Sequence, residues 1–153
     1  MDIRPLQSHE RVSALNLALD VFMEFVAPDY SKQGVGTFRS YIEHEPALNT
    51  LTFYGAFESE ALIGMIAMRS SNHISLFFVD SRFHGRGVGR RLFALVRSNA
   101  SAGVITVHSS PYAVPIYKKL GFTVISEEHV SDGIRYVPMK FLCGATTGIE
   151  GKG

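Results

Sequence analysis

The pattern of apolar and polar positions changes several times along the chain, and each change marks a new element. Asp2 to Leu6 reads as a short strand. Ser8 then precedes an apolar series at Val12, Leu15, Leu19 and Phe22, a helical spacing with a capping residue in front. That pattern predicts an amphipathic helix running to about Val26. The segment APDYSKQGVG is dense in helix breakers, Thr37 to His44 resumes a helical pattern, and Pro46 stops it. From Leu51 the pattern becomes that of strands. LTFYGAF, ALIGMIAMR and HISLFFV are β-rich runs separated by ESE and SSN, so three consecutive antiparallel strands are expected. The third leads straight into HGRGVGRR, and that loop into a helix with Val88, Leu92, Leu95, Val96 and Asn99 on one face. VITVH reads as a short buried strand and SSPYAVPIYKKLGF as a helix ended by Gly121. TVISEE and IRYVPMK flank an Asp132-Gly133 turn as a final hairpin.

Composition narrows the class. A chain of 153 residues with 46% hydrophobic and 19% charged side chains can bury the core of one ordinary domain. Neither a repeat nor a linker divides it, so residues 1–142 are expected to form one domain. CGATTGIEGKG, residues 143–153, has little to bury and is expected to be a flexible tail. Fifteen basic against fourteen acidic side chains leave a net charge of +1, too little to draw nucleic acid or an anionic membrane surface from a distance. The longest apolar runs, LALDVF and SLFFV, stop far short of the roughly 18 residues of a membrane span, and MDIRPLQSHE lacks a signal-peptide layout. The expectation is a soluble, unprocessed, cytoplasmic protein. The single cysteine, Cys143, excludes an internal disulfide and has no partner histidine at a telling spacing, so it reads as structural or incidental.

The glycine loop is the first chemical feature. Gly85, Gly87 and Gly89, with Arg86, Arg90 and Arg91 between and after them, lie where a strand ends and a helix begins. Glycines there let backbone N–H groups approach an anion, and the positive end of the helix dipole adds to the attraction, so phosphate is the natural guest. A dinucleotide fingerprint needs G-x-G-x-x-G with an acid about 20 residues later, and here the spacing is G-x-G-x-G followed by VITVHSS. A Walker A loop needs Gly-Lys-Ser/Thr, and Gly89 is followed by two arginines. Taken alone, the loop fits a simple chain reversal as well as a binding loop.

SSPYAVPIYKKLGF supplies the second feature. Residues 73 to 122 together resemble the GCN5-related N-acetyltransferase (GNAT) superfamily. One family motif, (Gln/Arg)-x-x-Gly-x-Gly/Ala, is matched by His84-Gly85-Arg86-Gly87-Val88-Gly89. The other, Asn-x-x-Ala-x-x-x-Tyr-x-x-x-Gly-Phe, is matched by Ser110, Ala113, Tyr117, Gly121 and Phe122. His84 departs from the usual Gln or Arg and Ser110 from the usual Asn, and neither change removes backbone donors. The resemblance implies an α/β (α+β) GNAT fold: a central mixed, mostly antiparallel twisted sheet of about seven strands flanked by about four helices. It implies acetyl-CoA as co-substrate and calls for no metal.

By the same resemblance, N–H groups from about Gly85 to Arg90 would grip the pyrophosphate, with charge from Arg86 or Arg90. Arg91 and Arg97 read as solvated helix surface. Phe78 and Val79 would pair their backbone with the pantetheine arm, and one N–H there would face the thioester oxygen. Ser110, followed by Pro111, reads as a helix cap with a secondary hydrogen bond to that arm. Tyr117 stands where the family's tyrosine protonates the leaving thiolate, although among Ala113, Val114, Ile116 and Leu120 it also reads as packing. His73 and His108 are candidates for the base, as is a water chain, and none is singled out. Glu58, Glu60, Glu127 and Glu128 read as solvated surface.

The acceptor side would involve Phe22, Phe25, Tyr30, Phe38, Tyr41 and the turn before Arg135, residues that at helical spacing read equally as core. The acceptor, whether a small-molecule amine, an antibiotic or a protein amino group, stays open. The implied function is acetyl-CoA-dependent transfer to a primary amine by direct attack in a ternary complex. A non-catalytic acyl-CoA sensor is the alternative reading, and an acyl chain longer than acetyl a third. Exposed strand ends leave room for a homodimer, which the sequence does not itself show.

Overall fold

The computed structural model describes residues 1–101 and 103–143. Their strands are β1 (Asp2–Pro5), β2 (Leu51–Glu58), β3 (Ala61–Arg69), β4 (His73–Val79), β5 (Val104–Ser109), β6 (Thr123–Val124), β7 (His129–Ser131) and β8 (Ile134–Leu142). The helices are α1 (Arg11–Val21), α2 (Lys32–Glu43), α3 (Glu45–Leu48), α4 (Val88–Ser98) and α5 (Val114–Leu120). The sheet runs β1-β2-β3-β4-β5-β8-β6, with β7 paired to β8. Every pairing is antiparallel except β4 with β5. The architecture is the mixed α/β one expected, with eight strands where about seven were expected and the short α3 added to four longer helices.

Helices on both faces explain why β3 shows no alternation. Ile63 through Met68 are all buried, because a strand covered on both sides reads as a continuous apolar run. One core, on the α4 and α5 face, gathers Ile66, Met68, Ile74, Leu92, Phe93, Val96, Ile105 and Met139. The other, on the α1 and α2 face, gathers Ala14, Ala18, Ile42, Phe53, Met65 and Leu76. A bulge in β4 sends its side chains to both. Ala67 pairs with Leu76 but Met68 with Ile74, so Ser75 is the extra residue and the alternation flips there.

The expectations for the first helix, the last helix and the final hairpin are corrected. The first helix is fixed by Glu10 rather than Ser8: the Glu10 carboxylate accepts from the Gln7 N–H at 2.9 Å and takes both Arg4 nitrogens at 2.9 and 2.8 Å. Its buried face is Ala14, Ala18, Val21 and Phe22, while Val12 is 66% exposed. Side-chain size misled the reading, since alanines let the helix lie close to the sheet. The α-helix also ends at Val21, continuing as a π-helical turn over Phe22–Val26 and a 3-10 turn over Ala27–Asp29. The last helix begins at Val114 rather than Ser110. Finally, TVISEE contributes only Thr123–Val124 to β8, and the hairpin across the Asp132-Gly133 turn is β7 with β8. Both turn residues have the expected positive φ, 52° and 79°. The tail expected over residues 143–153 lies, apart from Cys143, outside the described residues.

The start of α2 lies directly on that turn. A Cβ on Gly34 would overlap the Gly133 carbonyl, so glycine is required at this approach of two backbones, whereas a Cβ on Gly36 meets nothing within 4 Å. Gly36→Ala is therefore expected to stabilise by about 1 kcal/mol through helix propensity. Gly34→Ala, with the same propensity gain, is expected to lower stability by about 1–3 kcal/mol through overpacking. Denaturant midpoints of the two variants check the opposite signs.

Candidate functional site at the parted strands

β4 and β5 are in register only at His73↔Thr106 and Ile74↔Val107. Beyond Ile74 the two strands part while β4 keeps its pairing with β3 through Val79. The edge of β4 facing β5 thus offers backbone groups to a guest in the opening. At its end, the Asp80 carboxylate accepts the Arg82 N–H at 2.9 Å and caps a short 3-10 turn, and the glycine loop follows. Gly85 and Gly87 have φ of 78° and 81°. A Cβ at either would meet nothing within 4 Å, so the requirement is conformational, not spatial. Gly87 caps α4, whose first intrahelical bond runs from Arg91 N–H to the Gly87 carbonyl at 3.0 Å. The N–H groups of Val88, Gly89 and Arg90 precede that bond and are the free donors of the helix start. Arg86 and Arg90 are exposed, and the Arg86 guanidinium lies 5.4 Å from the Phe83 ring centroid. His84 folds back on the strand end, its Nε2 2.8 Å from the Val79 carbonyl. A carbonyl only accepts, so Nε2 carries the hydrogen in that contact.

The opposite lip is built by β5 and α5. Ser109 is fully buried and donates to the Ser110 carbonyl at 2.8 Å. The Ser110 hydroxyl accepts the Ala113 N–H at 3.3 Å, so it caps the turn ahead of α5. Pro115 is the second residue of α5, where its missing N–H has no intrahelical partner to lose. Tyr117 is buried between the rings of Phe77 and Phe122, with centroids at 6.0 and 5.2 Å. Burial pushes its phenol above the ordinary range, so the hydroxyl stays protonated at neutral pH. Phe25, from the π-helical turn, stands between His84 at 5.2 Å and Tyr112 at 5.4 Å, a row of three rings linking the two lips.

On the α1 and α2 face, three of the aromatics expected near the acceptor pack against one another. Phe22 stacks on Phe38 at 3.8 Å and meets Tyr30 edge-on, and Phe38 packs against Phe78. Tyr30 donates to the Arg135 carbonyl at 2.7 Å, and burial pushes its phenol up to about 12. Arg135 donates to the Asp29 carbonyl at 3.0 Å and holds the Glu128 carboxylate, while Thr37 donates to the Asp132 carbonyl at 2.7 Å. These bonds carry the α1–α2 segment across to the last hairpin. Glu58 faces the N-terminal ammonium at 3.6 Å. His73 and His108 come together, with centroids 5.2 Å apart, and His108 stacks on Tyr136 at 4.5 Å. Tyr136 was not picked out in the sequence. The alternation of β8 does place it on the face opposite Met139, but only the strand order brings it to His108.

Among the described residues, no group of three or more His, Cys, Asp or Glu side chains could hold a metal ion. No helix there is long and apolar enough to cross a membrane. A sheet opened along one parallel seam, with a glycine turn at one lip and a buried tyrosine at the other, has the acetyltransferase architecture. The chain belongs to the GNAT acetyltransferase family, whose Acetyltransferase (GNAT) domain matches residues 26–143. It is 26% identical over 127 residues to peptidyl-lysine N-acetyltransferase YjaB of Escherichia coli, covering 82% of each chain. Its fold superposes on a GCN5-related N-acetyltransferase from Rhodopseudomonas palustris with a TM-score of 0.80 at 19% identity, covering 92% of this chain and 94% of that one. It superposes on the PaiA N-acetyltransferase of Thermoplasma acidophilum, solved with coenzyme A, with a TM-score of 0.70 at 18% identity, covering 92% and 98%.

The loop geometry separates its glycines. Gly87→Ala is expected to cost about 1–2 kcal/mol, because an L side chain resists its left-handed conformation. Gly89→Ala, whose Cβ would sit 3.5 Å from Phe77 in ordinary contact, is expected to change stability by less than about 0.5 kcal/mol. Thermal unfolding of both variants checks the difference.

Proposed function

We propose that this protein is an acetyl-CoA-dependent N-acetyltransferase that transfers the acetyl group to a primary amine by direct attack in a ternary complex. The observation that supports it most is the parting of β4 from β5 beyond Ile74, with the free N–H groups of α4 at one lip and Tyr117 at the other. In this reading Val88, Gly89 and Arg90 donate to the pyrophosphate, helped by the positive helix end, and Gly85 and Gly87 shape the turn that lets it approach. Arg86 and Arg90 add charge at the rim. His84 uses one lone pair of the Val79 carbonyl, and a carbonyl has two, so that group can still take a pantetheine amide. Ser110 stands beside the same arm on the β5 side.

Attack on the thioester passes through a tetrahedral anion. Of Phe78 and Val79, the second has its backbone N–H turned away from β3, and that donor aimed at the developing oxygen would lower the barrier by about 3 kcal/mol. Holding amine and thioester together contributes the larger share. Tyr117 donates its proton to the departing thiolate, a role its burial suits, because the phenol keeps that proton throughout the working range. The names of YjaB and of the coenzyme A-bound PaiA relative support transfer rather than sensing.

The test is calorimetric titration with acetyl-CoA, followed by thiol release against a mixed panel of amines. Tight acetyl-CoA binding with thiol release by some amine is expected. Binding without release by any amine would favour a sensor, and no binding to folded protein would overturn the reading. Tyr117→Phe is expected to lower kcat about 100-fold while leaving acetyl-CoA affinity within about twofold. Unchanged turnover would remove Tyr117 from the mechanism.

A further inference from the structure

The face of the opening turned away from α4 and α5 carries its own set of groups. Ile105 and Val107 point into the α4-side core, so Thr106 and His108 point the other way. His108 is the first residue of β5 beyond the last pair with β4, so its ring stands at the vertex where the strands part. His73 meets it edge-on at 5.2 Å and 79°, with Nδ1 held 2.8 Å from the Thr106 hydroxyl. Tyr136 stacks on its other side at 4.5 Å and 21°, and His129 stacks on Tyr136 at 5.4 Å. Tyr117 and the start of α4 occupy the opposite face, so an amine must reach a thioester held in the opening from the His108 side.

We propose that His108 takes the proton from the incoming amine, and that the acceptors are weakly basic amines, aryl or α-amino, rather than lysine side chains. The inference rests on the transfer reading above. In the step, the amine nitrogen bonds to the thioester carbon as its N–H proton passes to the His108 imidazole, directly or through one water. The C–S bond breaks, and the thiolate takes the Tyr117 proton. The imidazolium then returns a proton to water and Tyr117 regains one, so amine and thioester become amide and thiol.

Charge and basicity carry the substrate class. The groups facing His108 are His73 from β4, Tyr136 from β8 and His129 from β7, with Arg69 at the end of β3 acting through space. Tyr41 of α2 lies near Ser75 of β4 and Arg69. Burial first, then Arg69, holds His73 down at about 4, and burial, Arg69 and His129 hold His108 below its ordinary value. A cationic amine entering here meets Arg69 and neutral rings. The imidazoles are free to accept a proton at neutral pH but too weak to strip an alkylammonium. At pH 7.4 an α-amino group of pKa about 7.8 is about one quarter uncharged, whereas a lysine side chain near 10.4 is uncharged in about one molecule per thousand. Weakly basic amines arrive ready to attack.

Wild type, His108→Asn and His73→Asn are compared with acetyl-CoA and three acceptors: aniline, glycylglycine and Nα-acetyl-lysine amide. Rates are followed against pH and expressed per uncharged amine, which divides out each acceptor's own titration. In wild type, kcat/KM should fall on the acid side with a midpoint below about 6.5. His108→Asn should lose that limb and about 100-fold in kcat with acetyl-CoA affinity kept, and His73→Asn should retain the limb. At pH 7, per total amine, aniline or glycylglycine should exceed the lysine amide at least tenfold. A His108→Asn enzyme with the wild-type limb and rate, or preference for the lysine amide, overturns the inference while transfer itself stands. If His108→Asn fails to bind acetyl-CoA, the three-acceptor comparison in wild type decides. Acetyl-CoA binding without thiol release from any of the three acceptors overturns this inference, and the broader amine panel then decides the transfer reading.

Discussion

The structure turns on the seam between β4 and β5, the one parallel pairing among the described residues and a pairing of only two residue pairs. A parallel seam needs a crossover, and here that crossover supplies the glycine loop and α4. Opening the seam would strand backbone groups on both edges, a cost tolerated when a guest replaces the missing strand. β4 stays in place because its other edge is fully paired to β3 and its bulge at Ser75 roots it in both cores. The opening is therefore a rigid feature of the sheet rather than a frayed end.

Everything chemical is arranged by which side of that seam it comes from. α4 starts at the end of β4 with its free donors, and α5 follows β5 with Tyr117 in the same core. On the other face, the His73, His108 and Tyr136 rings stand beside the vertex. The two halves of the molecule are tied again where α2 meets the last turn, by backbone contact at Gly34 and Gly133 and by hydroxyl bonds from Tyr30 and Thr37. Those ties span the opening on the face from which an amine would come. A tie of this kind limits how the two sides of the site can separate.

The errors in reading the first helix share a cause. Apolar size was used to choose its buried face, and packing against a covered sheet favoured the smaller Ala14 and Ala18 over Val12. Its start was assigned to the nearest hydroxyl, while Glu10 reached back to Gln7 because Arg4, on a neighbouring strand, orients its carboxylate. Arg4 also holds the Glu10 carboxyl down at about 2. The irregular end of that helix, which places Phe25 between His84 and Tyr112, left no local signature beyond Pro28.

Local signals determined what local physics controls: β2, β3 and β4 with their boundaries, the glycine loop between strand and helix, the Asp132-Gly133 turn, and the tyrosine of α5. These depend on side-chain periodicity and on backbone conformations that only certain residues adopt, so they are written in adjacent residues. The family motifs are of the same kind, two short stretches whose order and spacing survive in one chain. What only the tertiary structure decided is where strands stop pairing and which faces meet. Val107 and His108 are neighbours with opposite environments, and nothing adjacent to them reveals that β4 leaves β5 between them. The pairing of Tyr136 with His108, and of Gly34 with Gly133, joins residues far apart in sequence. Such contacts follow from strand order and sheet coverage, which depend on the whole chain at once.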